Sequence, residues 1–478
     1  MRFFKITKNG FLIFKEIHKA EKEGGSYKIA GPEINALLSD LGPTFIKFGQ
    51  MLSLRADLIN PNLADELRKL LDHGSVVNEN DINLLFKQEL GKTPGEIFES
   101  FEVRPFAIAS LSQVHLAKLE GKILAVKVQK PGIRAIIHKD LSLIKKMLML
   151  LRILSFSQNN RELVRMLSVS VDEFFKWIEH ELDYRLEILN ITRIKNNFSG
   201  VSFFKAPDVL HALSGKLILT MEYIDGVSLN NLIDFVPDLE TTEVIKYKEI
   251  HCNKTILIKE MLDIVFQQIF KDGYFHADPH PANILLTHKN CIAFIDFGVI
   301  GVFPSHLKEP LLKTLSGVIE RDVKKVSQAL LEINEVETNP PISEIEKGIR
   351  ILLNDWQTGS VMEMSMAEAF YRLLLIAQKS KMEIPLSMFV LAKTILEYDG
   401  LLRKFDPEMD ILNSLKSYVI DDKSIFNLEN LQNIPVTIKG LLANPKDMPD
   451  TVLKFAQQLA NEGVEFVSHL VNPSNAPK

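Results

Sequence analysis

The sequence predicts an α+β chain of two lobes, one built around a small sheet and one largely helical, with helical segments at both ends. Three observations predict it. The 478 residues exceed one ordinary domain. The hydrophobic period changes from helical to strand-like and back along the chain. In the second half a polar set stands at fixed intervals, His276-Ala-Asp-Pro-His-Pro-Ala-Asn283 and then Ile295-Asp-Phe-Gly298.

The elements follow in order. Residues 30–100 read as helical, with apolar spacing in Ile34–Leu38 and Leu63–Leu71 and an N-cap expected at Asp81. Ala117-Lys-Leu119, Gly121 and Ile123–Val128 predict a β-hairpin, ended by Pro131-Gly132. A long helical region spans about 134–198, and Leu217–Ile224 returns to strand. Helices dominate from 227 on, apart from short strands near Ile284–Leu286 and Ala293–Ile295. The expected domains are a helical extension over 1–100, a sheet lobe with a helical insertion over 101–226, a helical lobe over 227–410 and a helical tail over 411–478.

Composition narrows the function classes. Apolar residues make up 46% and charged residues 24%, as in a globular protein. A formal net charge of −5 offers no global field for nucleic acid. Cys252 and Cys291 lack zinc spacing, and a reducing, cytoplasm-like compartment fits best. No run is long and apolar enough to span a membrane; Lys145, Lys146 and Arg152 interrupt the most apolar one, Leu141–Phe156. Lys15, Glu16 and Lys19 break the N-terminus too early for a secretory signal. That segment mixes Phe3, Phe4, Phe11 and Phe14 with Arg2, Lys5, Lys8, Lys15 and Lys19. It reads either as a basic amphipathic helix on an anionic membrane or as a helix packed on the body.

The polar set carries the chemistry. Phosphoryl transfer needs metal to neutralise phosphate charge, a positioning carboxylate and a cation on the phosphates. Asp278 precedes Asn283 by five positions, and Asp296 follows thirteen later, intervals that protein kinases share. An amide oxygen from Asn283 and a hard anionic oxygen from Asp296 both suit Mg²⁺. Asp-Phe-Gly alone would read as a surface loop; both intervals, with apolar strands between, make it a metal site. His276 and His280 lack a third ligand nearby and read as structural. Lys127, in Leu124-Ala-Val-Lys-Val128, can reach the α- and β-phosphates from a strand, or be an ordinary edge-strand lysine. No Gly-x-Gly-x-x-Gly precedes it; Phe106-Ala-Ile-Ala-Ser110 and Gln113-Val-His115 stand there instead. Alanine does not take positive φ cheaply, which excludes a conventional glycine-rich flap.

With these residues in place the sequence resembles the UbiB (AarF-type) family of atypical protein-kinase-like proteins of isoprenoid quinone biosynthesis. Leu41-Gly-Pro-Thr-Phe-Ile-Lys-Phe-Gly-Gln50 resembles its Lys-x-Gly-Gln signature, and Phe106–Ser110 its alanine-rich loop. Ala125-Val-Lys-Val-Gln-Lys-Pro131 resembles its lysine strand, and Glu181-Leu-Asp183 its Glu-x-Asp motif. Glu187 falls where the family places the partner of that lysine, and His276–Asn283 resembles its catalytic loop. The likeness spans about residues 30–305. Ile108 and Ala282 depart from its pattern. So does the C-terminus, which through Leu453-Lys-Phe455 and Phe466-Val467 is only amphipathic where some bacterial relatives end in membrane spans.

The resemblance implies an atypical protein-kinase-like fold whose N-terminal extension lies over the active site. It implies ATP and Mg²⁺ as cofactors. Asn283 and Asp296 would hold metal, Lys127 the phosphates, Glu187 would hold Lys127, and Asp278 would orient the acceptor. Ala107, Ala109 and Ser110 would line the phosphate flap, and Met221, Glu222 and Tyr223 would meet adenine. Lys47, Gly49, Gln50, Glu181 and Asp183 would form a family-specific cover. Gly298-Val-Ile-Gly-Val-Phe-Pro304 runs straight into a helical stretch, Leu307–Val318, without an Ala-Pro-Glu or a long activation segment, which argues against peptide phosphorylation. The expected function is a Mg²⁺-dependent kinase-like ATPase supporting ubiquinone biosynthesis. Its expected partners are a quinone precursor or lipid and quinone-biosynthesis proteins, with no nucleic acid. Its expected place is the cytoplasm, including the inner face of the cell membrane. The alternatives are a small-molecule kinase of the aminoglycoside or choline type and a non-catalytic nucleotide-binding scaffold.

Overall fold

The computed structural model describes residues 2–22, 27–53, 59, 61–67, 69–70, 76–154, 158–233, 253–287, 291–334, 340–358, 364–409 and 414. The expected tail over 411–478, with Leu453–Phe455 and Phe466–Val467, lies outside them apart from residue 414, and so does Cys252. The described chain divides into two units, one of residues 2–188 and 208–223 and one of residues 189–207 and from 224 on.

The first unit opens with helices α1 (Arg2–Lys22), α2 (Ala30–Leu41), α3 (Pro43–Ser53), α4 (Pro61–Leu67), α5 (Glu79–Leu90) and α6 (Pro94–Ile97). The cap of α5 differs from expectation. Asn78, not Asp81, keeps the extended backbone of an N-cap, and its side chain accepts the Asp81 N–H at 2.9 Å. Asp81 sits inside the first turn and takes the Asn78 amide at 2.6 Å. Strands β1 (Ser100–Phe101), β2 (Ala107–Ile108), β3 (Ser112–Leu119) and β4 (Lys122–Gln129) follow, with β3 and β4 as the expected hairpin. Helices α7 (Ile133–Leu154), α8 (Gln158–Glu181) and α9 (Tyr184–Asn197) make up the long helical region, and α9 carries the chain into the second unit. After β5 (Phe204–Lys205) the chain returns with β6 (Ile218–Glu222), which pairs antiparallel with β4.

Strand alternation sorts the faces of this sheet. Leu124, Val126 and Val128 of β4 are buried with Ile82, Phe86 and Phe98. Lys127 belongs to the alternate set and is therefore on the opposite face. A buried polar chain ties β3 to the loops: Gln113 takes the Val77 N–H at 3.0 Å and meets His115 Nε2 at 2.8 Å, and His115 Nδ1 meets the Glu102 carbonyl at 2.8 Å. Burial lowers the His115 pKa. With Nδ1–H donating to the carbonyl, the neutral ring accepts from Gln113.

The second unit continues with β7 (Val227–Ser228), α10 (Leu229–Ile233), α11 (Lys254–Phe266), β8 (Tyr274–His276), β9 (Ile284–Leu286), β10 (Ile292–Phe294) and β11 (Ile300–Val302). Helices α12 (Lys308–Glu320), α13 (Val323–Ile333), α14 (Ile342–Thr358), α15 (Met366–Lys379) and α16 (Leu386–Phe405) complete it. One small sheet has the order β5-β10-β9-β7, and β8 pairs with β11. The expected strands near 284 and 293 are β9 and β10. Among the described residues no helix is long and apolar enough to cross a membrane.

Asp272, at the end of a π-helical turn that precedes β8, gives this unit a pH signature. Burial pushes its carboxyl up to about 6, against the opposing pull of Lys271, Asn197 and Arg193. The Oδ2 atom is buried without a hydrogen-bond partner among the described residues. The folded chain therefore holds this proton to higher pH than the unfolded chain, whose carboxyl titrates near 3.8. The group costs nothing at low pH, and its burden grows as pH rises to 6, reaching about 3 kcal/mol above it. Asp272→Asn is expected to raise the melting temperature by several degrees at pH 8 and to leave it unchanged at pH 3.5. Equal effects at both pH values would contradict this assignment.

Candidate functional site

In the first unit the site is built on the face of β4 opposite its core. Lys127 Nζ donates to both Glu187 carboxylate oxygens at 2.9 Å. The pair is shielded, with side chains 15% and 5% exposed. Tyr184 flanks it, its ring 5.4 Å from Nζ and its phenol pushed up chiefly by burial. Glu187 is held there by the start of α9, and that start is fixed by Asp183. The Asp183 carboxylate accepts the Arg185 N–H at 3.2 Å, the N-cap bond, and the Arg185 guanidinium grips both of its oxygens at 2.9 and 2.6 Å. Asp183 thus sets the helix that presents Glu187. Arg185 was not singled out in the sequence; its position two residues after an N-cap Asp was the available signal.

The Lys-x-Gly-Gln segment lies on α3. Lys47 Nζ pairs with Glu181 Oε1 at 2.5 Å, in a contact 14% and 21% exposed. Gln50 donates to the Leu70 carbonyl at 3.3 Å. Gly49 is buried where α3 meets its neighbours. A Cβ there would stand 2.4 Å from Leu70 Cδ1 and 3.1 Å from Leu38 Cδ1. Gly49→Val is therefore expected to cost about 1–3 kcal/mol by overpacking. Chemical denaturation measures it, and an unchanged midpoint would show that the contact relaxes freely.

The alanine-rich loop places Ala107 and Ile108 on β2, paired to Val114 and Gln113. The Ala109 N–H closes the turn onto the Ser112 carbonyl at 2.9 Å, and Lys130 Nζ donates to the Ala109 carbonyl. No residue from 106 to 112 takes a positive φ. The loop has no need of glycine, which explains how alanine and Ile108 are accommodated. Ser110 is buried, and its Oγ has no hydrogen-bond partner among the described residues. On the neighbouring strand, the Glu222 N–H goes to the Asp208 carbonyl at 2.8 Å and the Tyr223 N–H to the Ile123 carbonyl at 3.3 Å. Met221 is buried and faces Ala125 in the ladder.

In the second unit the antiparallel pair β9 and β10 brings Asn283 and Asp296 to neighbouring positions. Ile284 faces Phe294, and just beyond them the Ile295 N–H donates to the Asn283 carbonyl at 3.1 Å. Asp296 Oδ1 accepts the Gly298 N–H at 2.9 Å. Asp278 is exposed, whereas Asn283 and Asp296 are half-buried.

His276 fastens these loops together. Its Nε2 bonds the Asp296 carbonyl and its Nδ1 accepts the Asp278 N–H at 3.3 Å. Burial lowers its pKa, so one neutral tautomer serves both contacts. The His276 N–H donates to Gln268 Oε1 at 2.8 Å. The buried Phe297 is anchored through its carbonyl, which accepts from Asn190 at 2.8 Å, and Tyr274 donates to that same amide at 2.6 Å. His280 caps its own loop by accepting the Ala282 N–H at 3.2 Å. Sequence reasoning did not find Gln268, Asn190 or Tyr274, nor Tyr398 of α16. The buried Tyr398 phenol is pushed up by burial and by the Glu397 and Asp278 carboxylates.

Each unit, taken by itself, carries residues of the right chemistry, for metal in the second and for phosphate in the first. The oxygen donors of Asn283 and Asp296 are hard, as Mg²⁺ requires. The orphaned Ser110 hydroxyl lies in the loop where a phosphate oxygen could satisfy it.

Comparison with known proteins identifies the family. The ABC1 atypical kinase-like domain matches residues 69–330, and the UbiB helical domain matches residues 349–410. A "Probable protein kinase UbiB" from Pseudomonas putida is 31% identical over 81% of this chain and 70% of its own length. One from Pseudomonas fluorescens is 31% identical over 93% of this chain and 78% of its own. The structure of Rv3197 from Mycobacterium tuberculosis, solved with erythromycin, superposes with a TM-score of 0.54 at 23% identity. It covers 84% of this chain and 98% of that one. The fold is atypical kinase-like, mixing helix and sheet. The chain belongs to the UbiB family of ABC1-type kinase-like proteins.

Proposed function

We propose that the chain is an ATP-binding, Mg²⁺-dependent atypical kinase-like ATPase that supports isoprenoid quinone biosynthesis and works at a membrane surface. The observation that carries this is the shielded Lys127–Glu187 pair, the arrangement by which a kinase-like protein aims a lysine at phosphates. In this reading bound Mg²⁺ neutralises phosphate charge, and Asn283 and Asp296 hold it. Lys127 takes the α- and β-phosphates, and Glu187 keeps its ammonium in place. Ser110 and the loop from Ala107 to Ala109 border the phosphates. Met221, Glu222 and Tyr223 border the adenine. The N–H groups of Glu222 and Tyr223 are already donated, so recognition there falls to carbonyl oxygens and to the residues that follow. Asp278 orients the acceptor, which in the basal reaction is water. Lys47 and Glu181 brace α3 on α8, and with Gly49, Gln50 and Asp183 they form the family cover.

The quinone link comes from the relatives named UbiB. The chain after Gly298 supports a non-peptide acceptor, because β11 passes within a few residues into α12 and leaves no segment to hold a peptide. An ATP hydrolysis assay with and without a phenolic quinone precursor tests the proposal. Mg²⁺-dependent hydrolysis that the precursor stimulates, without transfer to peptide, is the expected result. Stoichiometric phosphate transfer to an aminoalcohol or aminoglycoside would overturn it.

A further inference from the structure

Among the described residues, helix α1 is held to the body by one side. Ile6 and Ala20 are buried, and Ile13 and Ile17 pack against the same cluster, which includes Tyr27, Ile34 and Leu38. Arg2 pairs with Asp140, and Lys5 pairs with Asp40 at 2.9 Å. The other side faces solvent with four large rings: Phe3 is 50% exposed, Phe4 72%, Phe11 68% and Phe14 59%. At about 100° per residue these rings fall within one stripe about 100° wide. Lys15, Lys8 and Lys19, all exposed, follow one another along one border of that stripe. Among the described exposed residues of α1 there is no carboxylate.

Single exposed apolar side chains are ordinary, whereas four phenylalanines along one face are the kind of patch that marks an interaction surface. The lysine border indicates what docks. A second copy of the face packed antiparallel would bring the two lysine rows side by side, and neither packing sense supplies the ammonium groups with a described exposed carboxylate of α1. A surface of phosphate headgroups over acyl chains complements both parts, rings to the boundary and ammonium groups to the phosphates. The packed side already orders the helix, so docking requires no refolding.

We infer that the Phe3, Phe4, Phe11 and Phe14 face of α1, bordered by Lys8, Lys15 and Lys19, docks on an anionic bilayer. This deepens the membrane-surface part of the function proposed above and rests on it.

Flotation of the full chain with vesicles of phosphatidylglycerol and phosphatidylethanolamine tests the inference, with pure phosphatidylcholine vesicles as the neutral reference. The expected result is binding to the anionic vesicles that weakens as salt rises. The variant Phe4→Ser/Phe11→Ser/Phe14→Ser is expected to bind about tenfold or more weakly, since the rings supply the buried apolar area. The variant Lys8→Gln/Lys15→Gln/Lys19→Gln is expected to bind several-fold more weakly and with a flatter salt dependence. Both should keep the wild-type melting temperature, because every substituted side chain is exposed. No binding to anionic vesicles, wild-type binding by the phenylalanine variant, or equal binding to neutral vesicles would overturn the inference. So would loss of a dimer, rather than of flotation, in the phenylalanine variant. Flotation by a chain that shows no ATP-dependent thermal shift would remove the nucleotide reading and leave this surface standing; a shift without flotation would do the reverse.

Discussion

Lys127→Met is expected to lower ATP turnover by about 100-fold or more, because a cation aimed at the transferring phosphates supplies several kcal/mol of the rate. The same substitution is expected to weaken the fold. Glu187 is 5% exposed and accepts both of its close contacts with Lys127 from one ammonium. Losing that ammonium takes the close cation away from a buried carboxylate, at a cost of about 3–5 kcal/mol. Replacing both residues, Lys127→Met with Glu187→Met, removes the buried charge as well. The double variant should therefore recover much of the lost melting temperature while regaining no turnover. Thermal denaturation and ATP hydrolysis measured on all three variants separate the two effects. A double variant no more stable than Lys127→Met would show that the pair is not coupled as its geometry requires.

Asp296→Asn is expected to abolish Mg²⁺-dependent nucleotide binding while sparing the fold. An asparagine oxygen can still accept the Gly298 N–H, and the Asp296 carbonyl that meets His276 is unchanged. The substitution thus removes the negative charge and little else. The distinction matters for the scaffold alternative. If Asp296→Asn still restores quinone synthesis in a deficient strain, the chain serves as a scaffold and the catalytic reading is wrong.

How much of this was legible in the sequence depends on the range of the interaction. Lys127 was legible because strand alternation and its motif both concern neighbouring residues, and the β3–β4 hairpin formed where the turn residues predicted. Asn283 and Asp296 were legible because two short strands and a fixed interval force them together. The α5 cap was misassigned because Asn78 and Asp81 are both suitable residue types, and the choice rests on which backbone stays extended. Asn190, 107 residues from Phe297, and Tyr274, 84 residues from Asn190, carry no local signal. Arg185 had one, but its grip on Asp183 gains meaning only once α9 is seen to present Glu187. For α1 the sequence showed apolar residues on both sides and could not choose between packing and exposure. The structure shows both, one on each face.

In the proposed function, ATP binds through metal held by Asp296 and Asn283 and through Lys127. Thermal denaturation with ATP, in Mg²⁺ and in EDTA, on the wild-type chain and on Asp296→Asn, tests it most directly. A rise of several degrees is expected for the wild type with ATP and Mg²⁺, as saturating ligand contributes about 3–4 kcal/mol. EDTA and Asp296→Asn are each expected to remove that rise. No rise with ATP and Mg²⁺, or the same rise in EDTA and in the variant, would contradict it.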